Sequence, residues 1–258
     1  MFKFFRSLRK HLLSENKFSK YLLYAIGEIV LVVIGILIAL KINTMNENRR
    51  LAEEEQVYLS RMNYELAKDS IYFTRRLTDS QQEIANYTTF IRKAYQTQNT
   101  LEEFIDLMRL NGYNSEHLSV ENATYYEMLN AGKFDLVSSD TLKYQIFDLY
   151  RNYDKVEKHV KEFNEFSIVR LHNFGQTIYG GSKYWPPASA AFNRPEMIDP
   201  SNWAFINQPN SDGFKMVVET ASVYLNKHST FIGYFELLLN EISTLRNEIR
   251  QHLEAKKK

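Results

Sequence analysis

The spacing of apolar positions along the chain changes character more than once. From Tyr21 to Leu40, in YLLYAIGEIVLVVIGILIAL, all faces are apolar and Glu28 alone interrupts them. A helix rises about 1.5 Å per residue, so this stretch matches the roughly 30 Å hydrocarbon thickness of a bilayer and predicts a transmembrane helix over 21–42. Beyond it the apolar residues settle into steps of three and four. Leu59, Met62, Leu66, Phe73, Leu77, Ile84, Tyr87, Ile91 and Ala94 keep that spacing to about Gln96. Leu142, Ile146, Leu149, Tyr153, Val156, Val160, Phe163, Leu171, Phe174 and Ile178 carry a second segment after the SSD cap near Ser139. Val217, Ala221, Tyr224, His228, Phe231, Phe235, Leu238, Ile242, Leu245 and Ile249 carry it through a third segment, from about Phe214 to Leu253. Such stripes are the seams of packed helices.

Shorter pieces lie between the first two seams. Thr100 and Glu103 have the spacing of a capping box, and Gly132 stands where a helix over VENATYYEMLNAG needs a left-handed C-cap. Nowhere does strict alternation persist as a half-buried strand requires. The expected fold is all-α: a single N-terminal transmembrane helix continuing into an extended antiparallel bundle of three long helices with short capping helices. Domain 43–258 forms the bundle. Compact connections imply an up-down-up course, with 101–131 capping the far end. That course leaves 179–213 in the membrane-proximal half, roughly 20 Å above the lipid at the helical rise per residue, and sends the last helix outward again.

The segment 179–213 breaks the helical pattern. It holds all five prolines and both tryptophans. Loops of this length in compact domains either function or fold into packed covers. Tyr184, Trp185, Trp203 and Phe205 are its candidate recognition residues.

Charge sets orientation. Lys3, Arg6, Arg9, Lys10, Lys17 and Lys20 precede the span against one acid, Glu15, whereas Glu47 and Glu53–Glu55 offset the cations that follow it. The positive-inside rule then places the N-terminus in the cytoplasm of a bacterium and the bulk of the chain in the periplasm, with the inner membrane between. Within 1–20, Phe5, Leu8 and Leu12 share a helical face beside Arg6, Arg9 and Lys10, a pattern suited to the surface of an anionic leaflet. A basic tail that only sets topology is the plainer alternative.

Glu28 falls on one stripe with Tyr21, Tyr24, Val32, Gly35 and Ala39. An intramembrane carboxyl costs about 2.5–3.5 kcal/mol on insertion scales and so belongs against protein rather than lipid. Gly35 and Ala39 form a small-xxx-small pair that admits a second backbone. The stripe therefore predicts self-association of the span. Proton or ion handling by Glu28, and an acid merely tolerated in lipid, are the alternatives.

FFRSLRKHLLSENKFSKYLLYAIGEIVLVVIGILIALKIN resembles the opening of membrane proteins from Bacteroidota grouped as domain-of-unknown-function family 6090. ATYYEMLNAGKFDLVSSDTLKYQIFDLY is similar to a second recurrent block of that family. The family often has a tryptophan in the Asn-Asn-Trp-Asn-Glu exit from its span, where this chain has Met45. The resemblance implies a protein with an N-terminal span; it supplies no activity and no catalytic residues.

The chain has 258 residues, a formal net charge of +1 and no cysteine, which excludes disulfides and thiolate chemistry. A near-neutral balance gives no footprint for nucleic acid. None of the six histidines is preceded at the third position by glutamate, so the Glu-x-x-His signature of di-iron bundles is absent. His228, inside a seam, reads as a hydrogen-bonded core histidine. No catalytic, metal or cofactor site is expected, and the chain does not read as an enzyme. The expected role is an oligomeric scaffold or accessory subunit in contact with membrane lipid, its own copies and a periplasmic or membrane protein. The alternatives are a sensor-like binding module using 179–213, and a channel or proton-coupled subunit using Glu28.

Overall fold

The computed structural model describes residues 18–178 and 200–256, apart from 97, 110–112, 114 and 116. Its α-helices are α1 (Phe18–Ala94), α2 (Leu101–Arg109), α3 (Ala123–Asn130), α4 (Asp140–Ile178) and α5 (Asp212–Ala255). Short 3-10 segments occupy Phe134–Leu136 and Pro200–Asn207. The protein is all-α, and among the described residues there is no strand. It divides into two compact units, Met1–Val57 and Tyr58–Lys258, with α1 contributing to both.

In the first unit, α1 is long and apolar enough to cross a membrane. Its apolar side chains are uncovered: Ile29 is 63% and Leu31 72% exposed. Past this stretch the helix is held by local polar contacts. Thr44 donates back to the Leu40 carbonyl at 2.9 Å, and Arg49–Glu53 and Arg50–Glu47 form pairs one turn apart. Pairs at that spacing each add a few tenths of a kcal/mol to an exposed helix.

The second unit is a bundle of α1 beyond Tyr58, α4 and α5. Contacts climb in register. Asn63, Phe73, Ser80 and Tyr87 of α1, and Tyr95 just past its end, meet Arg246, Phe235, His228, Tyr224 and Phe214 of α5 in turn, so these two helices run antiparallel. Asn152, Phe163 and Arg170 of α4 likewise meet Glu241, Phe231 and Glu219 of α5. It follows that α1 and α4 run parallel. All ten seam positions expected for the last helix, from Val217 to Ile249, are buried.

Two parallel helices in sequence need a connection that brings the chain back, and residues 113–133 supply it. This strap descends along α1: Tyr113 packs on Tyr87, the Ser119 N–H donates to the Tyr72 hydroxyl, and the Glu121 N–H donates to Asp69 at 2.8 Å. Below it, Thr124 donates through both its N–H and its hydroxyl to Glu65, and Glu127 takes bonds from Tyr58 and Arg61. Asn122, at the head of α3, makes no side-chain cap, so Glu65 caps that helix from across the bundle. Gly132 ends it at φ 64°, with Gly132 and Lys133 N–H groups bonded back to Leu129 and Met128, the Schellman arrangement that favours glycine. Thr100 and Glu103 form the reciprocal capping box of α2, and Ser139 caps α4.

The up-down-up course expected from compact connections is corrected by this strap. Of the segment expected to cap the far end, α2 lies at the Ala94 end, whereas the described residues of 113–133 return the chain to the Tyr58 end before α4 begins. The described end of the 179–213 loop therefore sits beside α2. Phe205 packs edge-on to Phe104, and Asn207 and Asn99 exchange side-chain and backbone hydrogen bonds at 2.9 Å. That is the opposite end of the bundle from the one anticipated, and α5 runs back toward Tyr58, with Lys256 reaching Ser138.

Candidate functional site

On α5, Tyr224, Lys227, His228 and Phe231 occupy i, i+3, i+4 and i+7, the spacing of a buried helix face. Packing against α1 and α4 therefore carries a lysine and a histidine into the interior. Lys227 is 1% and His228 6% exposed. Lys227 Nζ lies 4.8 Å from the Tyr224 ring centroid and 5.8 Å from that of Phe231, contacts in which the π faces partly replace water around the cation. Burial lowers the Lys227 ammonium to about 8; the nearby Arg76 charge acts in the same direction and Glu83 opposes it. Burial, then Lys227 and Arg76, push His228 down to about 3, so its imidazole is neutral at neutral pH. Its Nδ1 is 3.4 Å from Ser80 Oγ, and its buried Nε2 has no hydrogen-bond partner.

These groups form the floor of a cavity of about 290 Å³. All three long helices contribute: Ser80 from α1, Asn164 from α4, and Lys227, His228 and Phe231 from α5 are buried, while Arg75, Asp79 and Gln82 at the rim are exposed. Arg76 and Glu83 complete the lining. Small-molecule pockets usually set a few polar groups among apolar walls; this lining is mostly polar, with Phe231 its apolar member, and 290 Å³ is at the small end of such sites.

A second buried polar group has a different character. Asp69, 1% exposed, accepts from the Glu121 N–H at 2.8 Å and the Tyr153 hydroxyl at 2.9 Å. Burial raises it to about 6 against the pull of those two bonds. Burial and the Asp69 charge push the Tyr153 hydroxyl far above its ordinary value. Through these two bonds Asp69, on α1, fastens the strap and α4 to its own helix.

The sequence-predicted candidates lie elsewhere. Tyr21, Tyr24, Glu28, Val32, Gly35 and Ala39 are all on α1; Tyr24, Glu28, Val32, Gly35 and Ala39 are exposed, and a Cβ at Gly35 would meet nothing within 4 Å. Phe5, Arg6, Leu8, Arg9, Lys10 and Leu12 fall outside the described residues, as do Tyr184, Trp185 and the Trp203 side chain. Phe205 is half-buried in the packing beside α2, which makes it part of the core there. No group of residues among those described could hold a metal ion. Of the residues that line the cavity, the sequence points to His228 and Phe231 as seam positions; Lys227, one residue before His228, and the contributions of α1 and α4 are not among its candidates.

These features define a class: an all-helical protein with one helix able to cross a membrane and a polar cavity within its helical bundle. The chain belongs to the family of unknown function DUF6090, whose family model matches residues 28–175. The match takes in most of α1, all of α2 and α3, and α4 nearly to its end; α5 lies beyond it. No curated protein and no solved structure matches the chain.

Proposed function

We propose that the protein is a single-span component of a bacterial inner membrane, N-terminus in the cytoplasm and residues 43–258 in the periplasm, whose helical bundle is a non-catalytic binding module. The observation that carries this reading is the cavity itself. A buried lysine and a buried histidine with an unpartnered ring nitrogen are costly in a purely structural core, where polar groups are ordinarily satisfied. The cationic flank before the span and the acidic flank after it support the orientation. Thermal unfolding of the full chain in detergent, repeated across anionic, cationic and neutral metabolites, tests the module: at least one class raises the midpoint, and none doing so refutes it. A periplasm-dependent reporter fused after Lys258 tests the orientation and is expected to be active.

Self-association through the span, the basis of the scaffold reading, is supported by the uncovered small-residue stripe at Gly35 and Ala39. It is compatible with binding in the bundle, since the two use different residues.

A further inference from the structure

We infer that the cavity takes a small soluble oxyanion, of the carboxylate or phosphate class, held by Lys227 and Arg76 with His228 Nε2 as a hydrogen-bond donor. The inference rests on the binding-module reading and adds the chemistry of the ligand.

Charge decides the sign. The lining carries the cations Arg75, Arg76 and Lys227 against the acids Asp79 and Glu83. Arg75 and Asp79 stand 3.9 Å apart on the exposed rim and largely answer one another. Glu83 then faces two cations deeper in, one of them fully buried. The lining as a whole carries one more cation than acid, so an entering anion meets a net positive wall, and a charge pair is worth most where water is scarce. A cation would meet Lys227 and Arg76 as like charges.

Hydrogen bonding points the same way. In the tautomer whose Nδ1 accepts from the Ser80 hydroxyl, 3.4 Å away, the proton of the neutral imidazole is on Nε2, the buried atom that lacks a hydrogen-bond partner. That N–H is a donor in search of an acceptor. Asn164, buried in the floor, presents an amide from α4. Charge-assisted bonds from ammonium and guanidinium to an oxyanion are the strong members of their class. The volume admits a small metabolite anion and is too small for a polymer.

The pH dependence follows from the groups around the amine. Arg76 and Glu83 of α1, and His228 beside it on α5, face Lys227; of these His228 is neutral. The ammonium persists below about 8 and is lost above it, so anion affinity holds at neutral pH and falls as pH rises beyond about 8.

Calorimetric titration of the full chain in detergent tests this, with inorganic phosphate and succinate as probes, each against sodium chloride of equal ionic strength. At least one probe binds more tightly than chloride, Lys227→Met weakens it at least tenfold, and affinity declines between pH 7 and 9.5. His228→Leu, which leaves Lys227 in place, weakens it at least threefold and decides the matter if Lys227→Met does not fold. Repeating the titration in nanodiscs with and without phosphatidylglycerol separates the sources: equal affinity in both supports a soluble anion, and weaker binding with the anionic lipid overturns it in favour of a headgroup. Binding that survives both substitutions, or neither anion outcompeting chloride, overturns the inference. Putrescine or glycerol binding where the anions fail overturns the anion and keeps the binding module; if no probe binds, both fall.

Discussion

Replacing Lys227 with methionine is expected to stabilise the ligand-free protein. The folded amine sits at about 8 against an ordinary 10.5. A pKa difference of one unit corresponds to about 1.36 kcal/mol between protonation states, so holding the ammonium in this site opposes folding by about 3 kcal/mol. The sign is that of a depressed base: the penalty is complete below about 8 and fades as the pH approaches 10.5, where the unfolded lysine also loses its proton. Methionine has similar length and fills the same space, while the attraction of the ammonium to Tyr224 and Phe231, about 0.5–2 kcal/mol, is lost. The net gain is about 2 kcal/mol, or about 4–8 °C in midpoint for a unit of this size. Near-UV circular dichroism of the full chain in detergent, melted at pH 7 and pH 10.5 in anion-poor buffer, reads it out. The variant should melt higher at pH 7 and lose most of that advantage at pH 10.5. A lower midpoint at pH 7, or an advantage indifferent to pH, would refute the view of Lys227 as a cation kept at a cost to stability.

The remaining expectations concern other contacts. Asp69 is raised to about 6 from 3.8, so its carboxylate opposes folding above about 6 and the opposition lifts as pH falls toward 3.8; Asp69→Asn should match or exceed the wild type in denaturant resistance at pH 7 and gain less on acidification. Asp69→Ala should instead cost about 1–3 kcal/mol by leaving the Tyr153 hydroxyl and Glu121 N–H unpaired, and a neutral result would show that the strap is held by other bonds. A Cβ at Gly213 would lie 2.9 Å from Phe205 Cγ, so Gly213→Ala should push Phe205 off Phe104 and lower the midpoint by several degrees, equivalent to about 1–3 kcal/mol; an unchanged melt contradicts that contact. Gly35→Ile should diminish crosslinked oligomers in membranes while Glu28→Gln largely preserves them, and undiminished oligomers in Gly35→Ile remove the stripe as an interface.

What the sequence makes legible is local. The 3–4 stripe of α5 forecasts its buried face from Val217 to Ile249, because one side of that helix meets two others throughout. The Thr100–Glu103 box and Gly132 declare helix ends, since both act within a turn. Direction is another matter. Residues 113–122 have no period, because they form a strap whose bonds go to Tyr72 and Asp69, dozens of positions earlier. Nothing local distinguishes such a crossover from a cap, so the expected course of the chain, and with it the end of the bundle expected for the described residues 200–213, is the reverse of the one observed. The cavity lay between these cases. His228 is legible as a buried seam residue, but Lys227 beside it is not among the seam positions, and Arg76, Ser80 and Asn164 join them only through packing of three helices.

The way α5 is shared between two parallel helices bears on how the protein is made. Ribosomes extend a chain at about 5–20 residues per second, N-terminal parts first. Phe73, Tyr153 and Phe235 meet in one aromatic cluster, yet the last of them is on a helix that begins at Asp212. Until that helix emerges, the stripes of α1 and α4 that it covers stay wet, and the strap can close over only one side of α1. The bundle thus completes its core after most of its translation, with its earliest and latest segments as direct neighbours from Asn63 with Arg246 to Tyr95 with Phe214. During that interval the apolar faces that the finished bundle buries are open to water, the condition in which incomplete folds are prone to aggregate.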